Sequence, residues 1–274
     1  MIKERRFTIL NVLDCSIDNA WLFIKKWRVW LTYVSAFFFL NAVCGNWSHT
    51  CKDSLSISWW CPSSSNFYLA YARMIFYYLA ELFLIFSFAF DIYNEAFGSV
   101  KSGFGALFKI KKDKLKFVGF AGLLCLVFFG SLFVCVWIIF RKANPNWLIE
   151  FGYFLIVFSL ATFVVLILRT SASVGLFLEN GKIPDFKHVF KLTHGKFYVV
   201  LLTFCATTYI ISLLQMKSKG LLELWNIQHN YFHIALISEF IGCLIQTFVL
   251  IVYVAYFVAE AQCVKSNQQK QIIS

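Results

Sequence analysis

The sequence carries little charge. Asp, Glu, Lys and Arg make up 14% of its 274 residues, whereas soluble proteins contain about 25%. Hydrophobic residues make up 60%, against about 45–50% in soluble domains. So few polar side chains cannot cover the surface of a soluble core, and the 33 Phe, 12 Tyr and 9 Trp exclude a disordered chain. The composition predicts an integral membrane protein.

Motifs of enzyme and cofactor sites are also missing. The sequence has no Gly-rich phosphate loop, no HExxH zinc helix and no nucleophile elbow. Its nine cysteines and five histidines do not form a metal-binding pattern. The three prolines (Pro62, Pro145 and Pro184) lie between apolar segments, so the broken helices of many transporters are not indicated. We expect a non-enzymatic protein without a metal or a cofactor.

Six apolar segments approach or exceed the roughly 20 residues that a membrane-spanning helix needs. They cover approximately residues 27–44, 67–90, 117–140, 147–168, 197–214 and 232–258. The residues before the first segment are polar or amphipathic, which argues against a cleaved signal peptide. The sequence therefore predicts an all-α polytopic membrane protein with six transmembrane helices in a single membrane domain, 1–274.

The basic residues predict the orientation of these helices. Most of the 25 Lys and Arg residues lie before the first segment, after the second and fourth segments, and in the C-terminal tail. Basic residues concentrate on the cytoplasmic side of membranes, so both termini are predicted to be cytoplasmic. The net charge of +11 then reflects orientation and does not indicate a nucleic-acid partner. The sequence is rich in Phe, Ile and Lys, which is typical of an AT-rich genome and favours a bacterial source. The predicted membrane is therefore a bacterial inner membrane.

Three amphipathic segments precede the first, third and fifth spans. Their apolar residues recur at steps of three and four, which places them on one helix face. The sets are Leu10, Leu13, Ile17, Ala20, Trp21 and Ile24; Phe97, Val100, Phe104, Leu107 and Phe108; and Phe186, Val189, Phe190, Thr193 and Phe197. We predict three interfacial helices whose lysines bind anionic lipid headgroups, namely Lys25, Lys26, Lys109, Lys111, Lys112, Lys114, Lys191 and Lys196. The alternative is that these segments cap the helix bundle.

Two of these segments share a pattern. Phe104, Phe108, Lys109, Ile110 and Lys114 recur with the same spacing as Phe186, Phe190, Lys191, Leu192 and Lys196. The pattern predicts three repeat units, about 8–91, 94–170 and 173–261, each an interfacial helix followed by two spans. In these stretches and in its layout the chain resembles the YciC-like bacterial inner-membrane proteins. It also resembles the membrane domain that accompanies some glycerophosphodiester phosphodiesterases. The resemblance implies a six-helix inner-membrane fold and no established chemistry.

Polar side chains inside the predicted spans are candidates for function, because charge is costly in hydrocarbon. Glu81 lies near the centre of the second span, which also contains Arg73, and the sixth span contains Glu239 and Gln246. One interpretation is a polar track or ion site facing the bundle interior, built from Glu81, Glu239 and Gln246. The other is that Glu81 is protonated, or paired with a Tyr or Arg, and only links helices. Asp91 and Glu260, near span ends, are expected at the membrane interface.

Two cysteines, Cys51 and Cys61, lie in the loop after the first span. We predict a disulfide between them if that side of the membrane is oxidising. The leading functional hypothesis is a membrane protein of accessory or organising type, which contacts anionic lipid through its basic amphipathic helices and acts with an unidentified protein partner. The alternative is a small-solute, ion or lipid transporter that uses Glu81 as its intramembrane charge.

Overall fold

The computed structural model describes residues 7–44, 67–98, 103–140, 150–151, 154, 157–158, 172–193, 196–228 and 232–273. Within these residues the secondary structure is helical, and no strand is present. The helices are α1 (Ile9–Ile24), α2 (Trp27–Cys44), α3 (Phe67–Phe97), α4 (Lys112–Phe140), α5 (172–180), α6 (Phe186–Leu192), α7 (Phe197–Gln228) and α8 (Phe232–Ile273). The predicted all-α class is confirmed.

The apolar segments correspond to the long helices. The helix α2 has the predicted bounds, whereas α3, α7 and α8 continue beyond their predicted ends. In the fourth segment the described residues, 150–151, 154 and 157–158, are helical. By length and composition, two stretches of the described residues are long and apolar enough to cross a membrane, Ile75–Phe97 and Leu236–Ser266. A shorter apolar helix covers Tyr198–Leu214.

The chain divides into two compact units. The first unit comprises Met1–Ala20, Lys112–Thr207 and Val254–Ser274, and the second comprises Trp21–Lys111 and Thr208–Tyr253. Each unit draws on segments that are far apart in the sequence. The three predicted repeat units are not tested by this division and stay a prediction.

The first unit is held together by aromatic and aliphatic packing. Phe117 and Phe120 of α4 contact the ring of Phe177 in α5, with centroids 5.3 and 5.5 Å apart. A second cluster joins the start of α7 to the C-terminal part of α8 and to the N-terminal segment; its buried members are Phe7, Val12, Val199, Val200, Tyr256, Cys263 and Val264. Burial of such side chains from water contributes about 25 cal/mol per Å².

A close approach between α5 and α8 depends on Gly175. A Cβ atom at this position would meet the backbone oxygen of Phe257 and would lie 2.7 Å from the Cβ of Ala261. The helix α5 ends at Asn180. The next residue, Gly181, has a φ of +65° that favours glycine, and its N–H donates to the Phe177 carbonyl over 2.8 Å. This helix end is a left-handed glycine cap.

In the second unit, α2 packs along α3. Near one end of α2, Phe38 contacts Phe240 of α8 edge-on, with centroids 5.8 Å apart. Further along, Trp30 donates from its indole N–H to the hydroxyl of Thr247 over 2.7 Å. The pairing of ascending residues in α8 with descending residues in α2 shows that these two helix segments run antiparallel.

The three predicted amphipathic segments have three different outcomes. In α1 the apolar residues Leu10, Ile17 and Trp21 lie on one face and are 79%, 69% and 61% exposed. The opposite face of α1 is buried and includes Val12 and Phe23. This helix therefore presents exposed apolar side chains together with the exposed Asp14 and Asp18, and its placement in a membrane interface stays a prediction.

The second segment does not form the predicted helix in its described part. Residues 103–105 form one turn of 3-10 helix, and no helix is present at 106–111. Gly103 has a φ of +53°, a conformation that a continuous right-handed helix does not contain. The apolar spacing of Phe104, Leu107 and Phe108 is therefore helical in sequence only, and this expectation was wrong.

The third segment contains the short helix α6. Asp185 caps it by accepting a hydrogen bond from the Lys187 N–H over 3.0 Å. Two residues of its predicted apolar face, Val189 and Thr193, are buried, and Val189 packs with Leu176 and Ala261. This segment matches the capping alternative, because those two residues face the interior of the first unit.

Candidate functional site

Polar side chains follow one face of α3 through the whole of its span-length part. Tyr77, Glu81, Ser87, Asp91 and Glu95 lie within Ile75–Phe97, and at 3.6 residues per turn they share roughly one third of the helix circumference. In the second unit this face meets polar residues of α2 and α8 through hydrogen bonds. The candidate site is built from these contacts.

Asn41 connects three helices near one end of the unit. Its side-chain carbonyl accepts a hydrogen bond from the Tyr77 hydroxyl over 2.9 Å. Its amide nitrogen donates to the Glu239 carboxylate over 2.8 Å and lies 3.6 Å from the Cys243 sulfur. One amide therefore uses both its oxygen and its nitrogen to join α2, α3 and α8.

The next contact along the same helices joins Glu81 to Gln246. The Gln246 side-chain amide donates to a Glu81 carboxylate oxygen over 3.1 Å. Both side chains are partly buried. Gln246 lies seven residues after Glu239 and therefore on nearly the same face of α8. The structure thus joins two of the predicted polar residues directly and places Glu239 in the neighbouring contact. Among the described side chains, the hydrogen-bond partner of Glu81 is the amide of Gln246.

A third polar contact was not predicted from the sequence. The Tyr33 hydroxyl of α2 donates to the Asp91 carboxylate over 2.5 Å, and both side chains are buried. Asp91 was expected at the membrane interface because the second span was predicted to end at residue 90. The helix α3 continues to Phe97, which places Asp91 well inside it. A carboxylate inside a long apolar helix requires a partner. The sequence would have indicated a partner for Asp91 only if the end of this helix had been predicted correctly.

Two further groups complete the polar face of α3. Ser87 is fully buried one turn before Asp91, and its hydroxyl makes no hydrogen bond of ordinary geometry among the described residues. Glu95 accepts a hydrogen bond from the Gly103 N–H over 3.5 Å. Carboxylates therefore occur near the middle and towards the C-terminal end of the same α3 face.

A second candidate surface of this unit combines exposed aromatic rings with basic side chains. We call it the basic aromatic edge, and it consists of Trp21, Lys25, Trp27, Arg28, Phe104, Phe108 and Lys109, all exposed. The Lys25 ammonium lies 5.5 Å from the centroid of the Trp21 ring, and the Arg28 guanidinium lies 5.5 Å from that of Trp27. The Trp27 ring also contacts the Phe104 ring edge-on, with centroids 5.7 Å apart.

This edge has a defined local structure. The Thr32 hydroxyl donates to the backbone carbonyl of Phe104 over 3.3 Å, which holds the 103–105 turn against α2. Each cation lies over its neighbouring ring at a distance typical of cation–π contacts. Such an edge resembles the mixed aromatic and basic composition found at membrane–water interfaces.

The predicted headgroup lysines differ in exposure. Five of them are exposed, namely Lys25, Lys109, Lys111, Lys112 and Lys191, and two are half-buried, namely Lys26 and Lys196. Lys114 differs from the prediction, because its side chain is 1% exposed and cannot reach a lipid headgroup in this conformation. Glu260, expected at the interface, is also fully buried. The first unit therefore contains a buried basic and a buried acidic side chain.

Three predicted site residues are not placed by the described side chains. Arg73 belongs to α3, and its side chain lies outside the described part. Cys51 and Cys61 lie outside the described residues. Where the structure describes the chain, no group of three or more His, Cys, Asp or Glu side chains is arranged to hold a metal ion. Five cysteines with described side chains, Cys15, Cys125, Cys205, Cys243 and Cys263, are not in disulfides.

Comparisons of the chain with protein-family models, with curated proteins and with solved structures found no match. The resemblance to the YciC-like proteins and to the phosphodiesterase-associated membrane domain therefore stays an expectation from the sequence.

Proposed function

We propose that the chain is an integral membrane protein of accessory or organising type, which acts by binding anionic lipid and carries out no reaction itself. In this proposal six helices span a bacterial inner membrane, with both termini in the cytoplasm. A protein partner of unknown identity belongs to the same proposal. The support comes from the aromatic and basic side chains on the surface that the helices leave exposed.

The observation that carries the proposal is the basic aromatic edge. Exposed tryptophan and phenylalanine rings are costly in water, at about 25 cal/mol per Å² of apolar surface. Tryptophan is enriched at membrane–water interfaces, and both residues occur on the apolar faces of interfacial helices. The adjoining cations at Lys25, Arg28 and Lys109 contribute about 1 kcal/mol each when they lie near an anionic membrane surface. Aromatic rings and cations therefore favour the same location, the headgroup layer of an anionic leaflet.

The outward face of α1 extends this support. Leu10, Ile17 and Trp21 are the exposed apolar residues of that helix, and Lys25 follows one turn after Trp21. A helix with this surface lies in the plane of the membrane interface with its apolar side towards the acyl chains. The apolar side of α1 and the ammonium group of Lys25 can therefore lie in the same membrane interface.

The proposal is tested by native mass spectrometry of the full chain, extracted from membranes of neutral lipid or of neutral lipid mixed with phosphatidylglycerol. We expect phosphatidylglycerol to be retained in preference to the neutral lipid. Lys25→Gln should weaken that preference by about 1 kcal/mol, and Lys217→Gln, which removes an exposed lysine outside the basic aromatic edge, should not. Equal retention of neutral and anionic lipid by the unaltered chain would show that the electrostatic part of the proposal is wrong.

A further inference from the structure

We propose that the second compact unit contains a path for protons along the polar face of α3, with Glu81 as its central carrier. This activity is independent of lipid binding at the basic aromatic edge. The path begins at Tyr77 and ends at Glu95, and α2 and α8 supply its other members. They are Asn41, Glu239 and Gln246 near Tyr77 and Glu81, and Tyr33 at Asp91.

The first argument is the length of the polar face. Tyr77 and Glu95 are separated by 18 residues of one helix, a rise of about 27 Å at 1.5 Å per residue. The hydrocarbon core of a bilayer is about 30 Å thick. A helix that only anchors the protein has no need for carboxylates at Glu81, Asp91 and Glu95, and each of them is unfavourable in hydrocarbon.

The second argument is that the polar groups are paired across helices in an order that leads along the span. Tyr77 donates to Asn41, and Asn41 donates to Glu239. One turn further along α3, Glu81 accepts from Gln246. Carboxylates such as Glu81 and Glu239 are components of proton relays in membrane proteins, and here the amides of Asn41 and Gln246 hold these carboxylates in position.

The third argument concerns the other half of the path. Asp91 accepts from Tyr33, and both side chains are buried. Between Glu81 and Asp91 the Ser87 hydroxyl is fully buried and lies beside the Tyr33 hydroxyl. From Glu81 to Ser87 the helix rises about 9 Å, which is longer than a hydrogen bond, so proton transfer across this interval requires water.

The contacts favour protons over metal cations. The groups that contact the carboxylates of Glu81 and Glu239 are amide N–H donors, and the contact to Asp91 is an O–H donor. A cation such as Ca²⁺ or Mg²⁺ requires at least about six converging oxygen ligands, and donors that already occupy the carboxylates oppose that arrangement. A proton adds to one carboxylate oxygen and leaves from it again, so transfer breaks and forms only O–H bonds.

Several titratable groups lie near the Tyr77 hydroxyl, at the start of the path. The helix α3 supplies Glu81 and the neighbouring Tyr78, and α8 supplies Glu239 and Cys243. The helix α2 contributes the neutral amide of Asn41 at this level. Both glutamates of the path are therefore close to the hydroxyl at which it begins.

The experiment uses the full chain in vesicles that contain a pH-sensitive dye, with a membrane potential imposed by a potassium gradient and valinomycin. We expect proton entry above that of protein-free vesicles. Glu81→Gln should reduce the entry rate by about a hundredfold, the lower end of the contribution of a positioned proton-transfer group. The matched control is Glu150→Gln, because Glu150 is exposed and belongs to the first unit; it should leave the rate unchanged.

Three results would overturn the proposal. The first is that vesicles with the folded, unaltered chain take up protons no faster than protein-free vesicles. The second is an unchanged rate of proton entry in Glu81→Gln. The third is proton entry that occurs in sodium buffer and is lost when choline replaces sodium. If Glu81→Gln does not fold, Tyr77→Phe provides the second variant, since it keeps the aromatic ring and removes only the hydroxyl that donates to Asn41. An undiminished rate in folded Tyr77→Phe would overturn the proposal that the path begins at Tyr77.

Discussion

The side-chain amide of Asn41 donates a hydrogen bond to the Glu239 carboxylate over 2.8 Å. Because the carbonyl of the same side chain accepts from Tyr77, Asn41 connects helices that are far apart in sequence. Polar contacts between membrane helices average about 0.6 kcal/mol and reach about 1.7 kcal/mol. The position of Asn41 in two such contacts makes it a sensitive point for the stability of the second unit.

We predict that Asn41→Leu lowers the free energy of unfolding by about 1–2 kcal/mol, because Tyr77 and Glu239 both lose a partner. Unfolding in mixed detergent micelles with increasing denaturing detergent provides the measurement. The control is Ser35→Leu, which introduces the same side chain on the exposed part of α2 and should change stability by much less. Equal losses in the two variants would mean that the Asn41 contacts contribute nothing specific.

The indole of Trp30 and the hydroxyl of Thr247 form a pair suited to a double-mutant cycle. The hydrogen bond between them measures 2.7 Å, and Thr247 is buried. Trp30→Phe and Thr247→Val each remove one polar group, and we expect a coupling energy of about 0.6 kcal/mol between them. The same unfolding assay measures it. Additive effects would show that the bond does not stabilise the folded chain.

The sequence predicted the long helices because apolar runs bounded by charge are a strong signal. The bounds of α2 followed directly from this pattern. Periodicity failed at residues 103–111, since Gly103 adopts a φ of +53° and interrupts the helix that the spacing of Phe104 and Phe108 indicated. A spacing rule describes which residues would share a face, and backbone conformation decides whether the helix exists.

The candidate site was predicted in part for a similar reason. Glu81 and Gln246 were recognisable as polar residues inside apolar helices, and the structure places them in one contact. Tyr33 gave no such signal, because a tyrosine is common in an apolar run and its partner Asp91 is 58 positions away. Packing also decides which of several neighbouring lysines is buried. Because the sequence does not show that packing, it predicted Lys114 at the lipid surface.

We predict that Lys114 is protected from chemical modification. Its side chain is 1% exposed, whereas Lys112, two residues earlier in α4, is exposed. An amine-reactive reagent applied to the folded chain should modify Lys114 at least about tenfold more slowly, because reaction requires local opening of the structure. Peptide mass spectrometry measures both rates in one sample. After unfolding the two rates should converge, and similar rates in the folded chain would contradict the burial of Lys114.

The packing of α5 against α8 provides a prediction that does not involve polar groups. In Gly175→Ala the new Cβ would clash with the backbone oxygen of Phe257 and would lie 2.7 Å from the Cβ of Ala261. Because backbone atoms cannot move aside as a flexible side chain does, we expect a loss of about 1–3 kcal/mol, as for other overpacked sites.

Gly119→Ala in α4 is the matched control for this packing prediction, since nothing lies within 4 Å of a Cβ added there. Alanine is favoured over glycine inside a helix by about 1 kcal/mol, so this variant should be neutral or more stable. Thermal unfolding of the two variants beside the unaltered chain decides between the two effects. A Gly175→Ala variant as stable as Gly119→Ala would show that α5 and α8 are not in close contact at this position. A loss confined to Gly175→Ala would identify the contact with Phe257 as a constraint on the first unit.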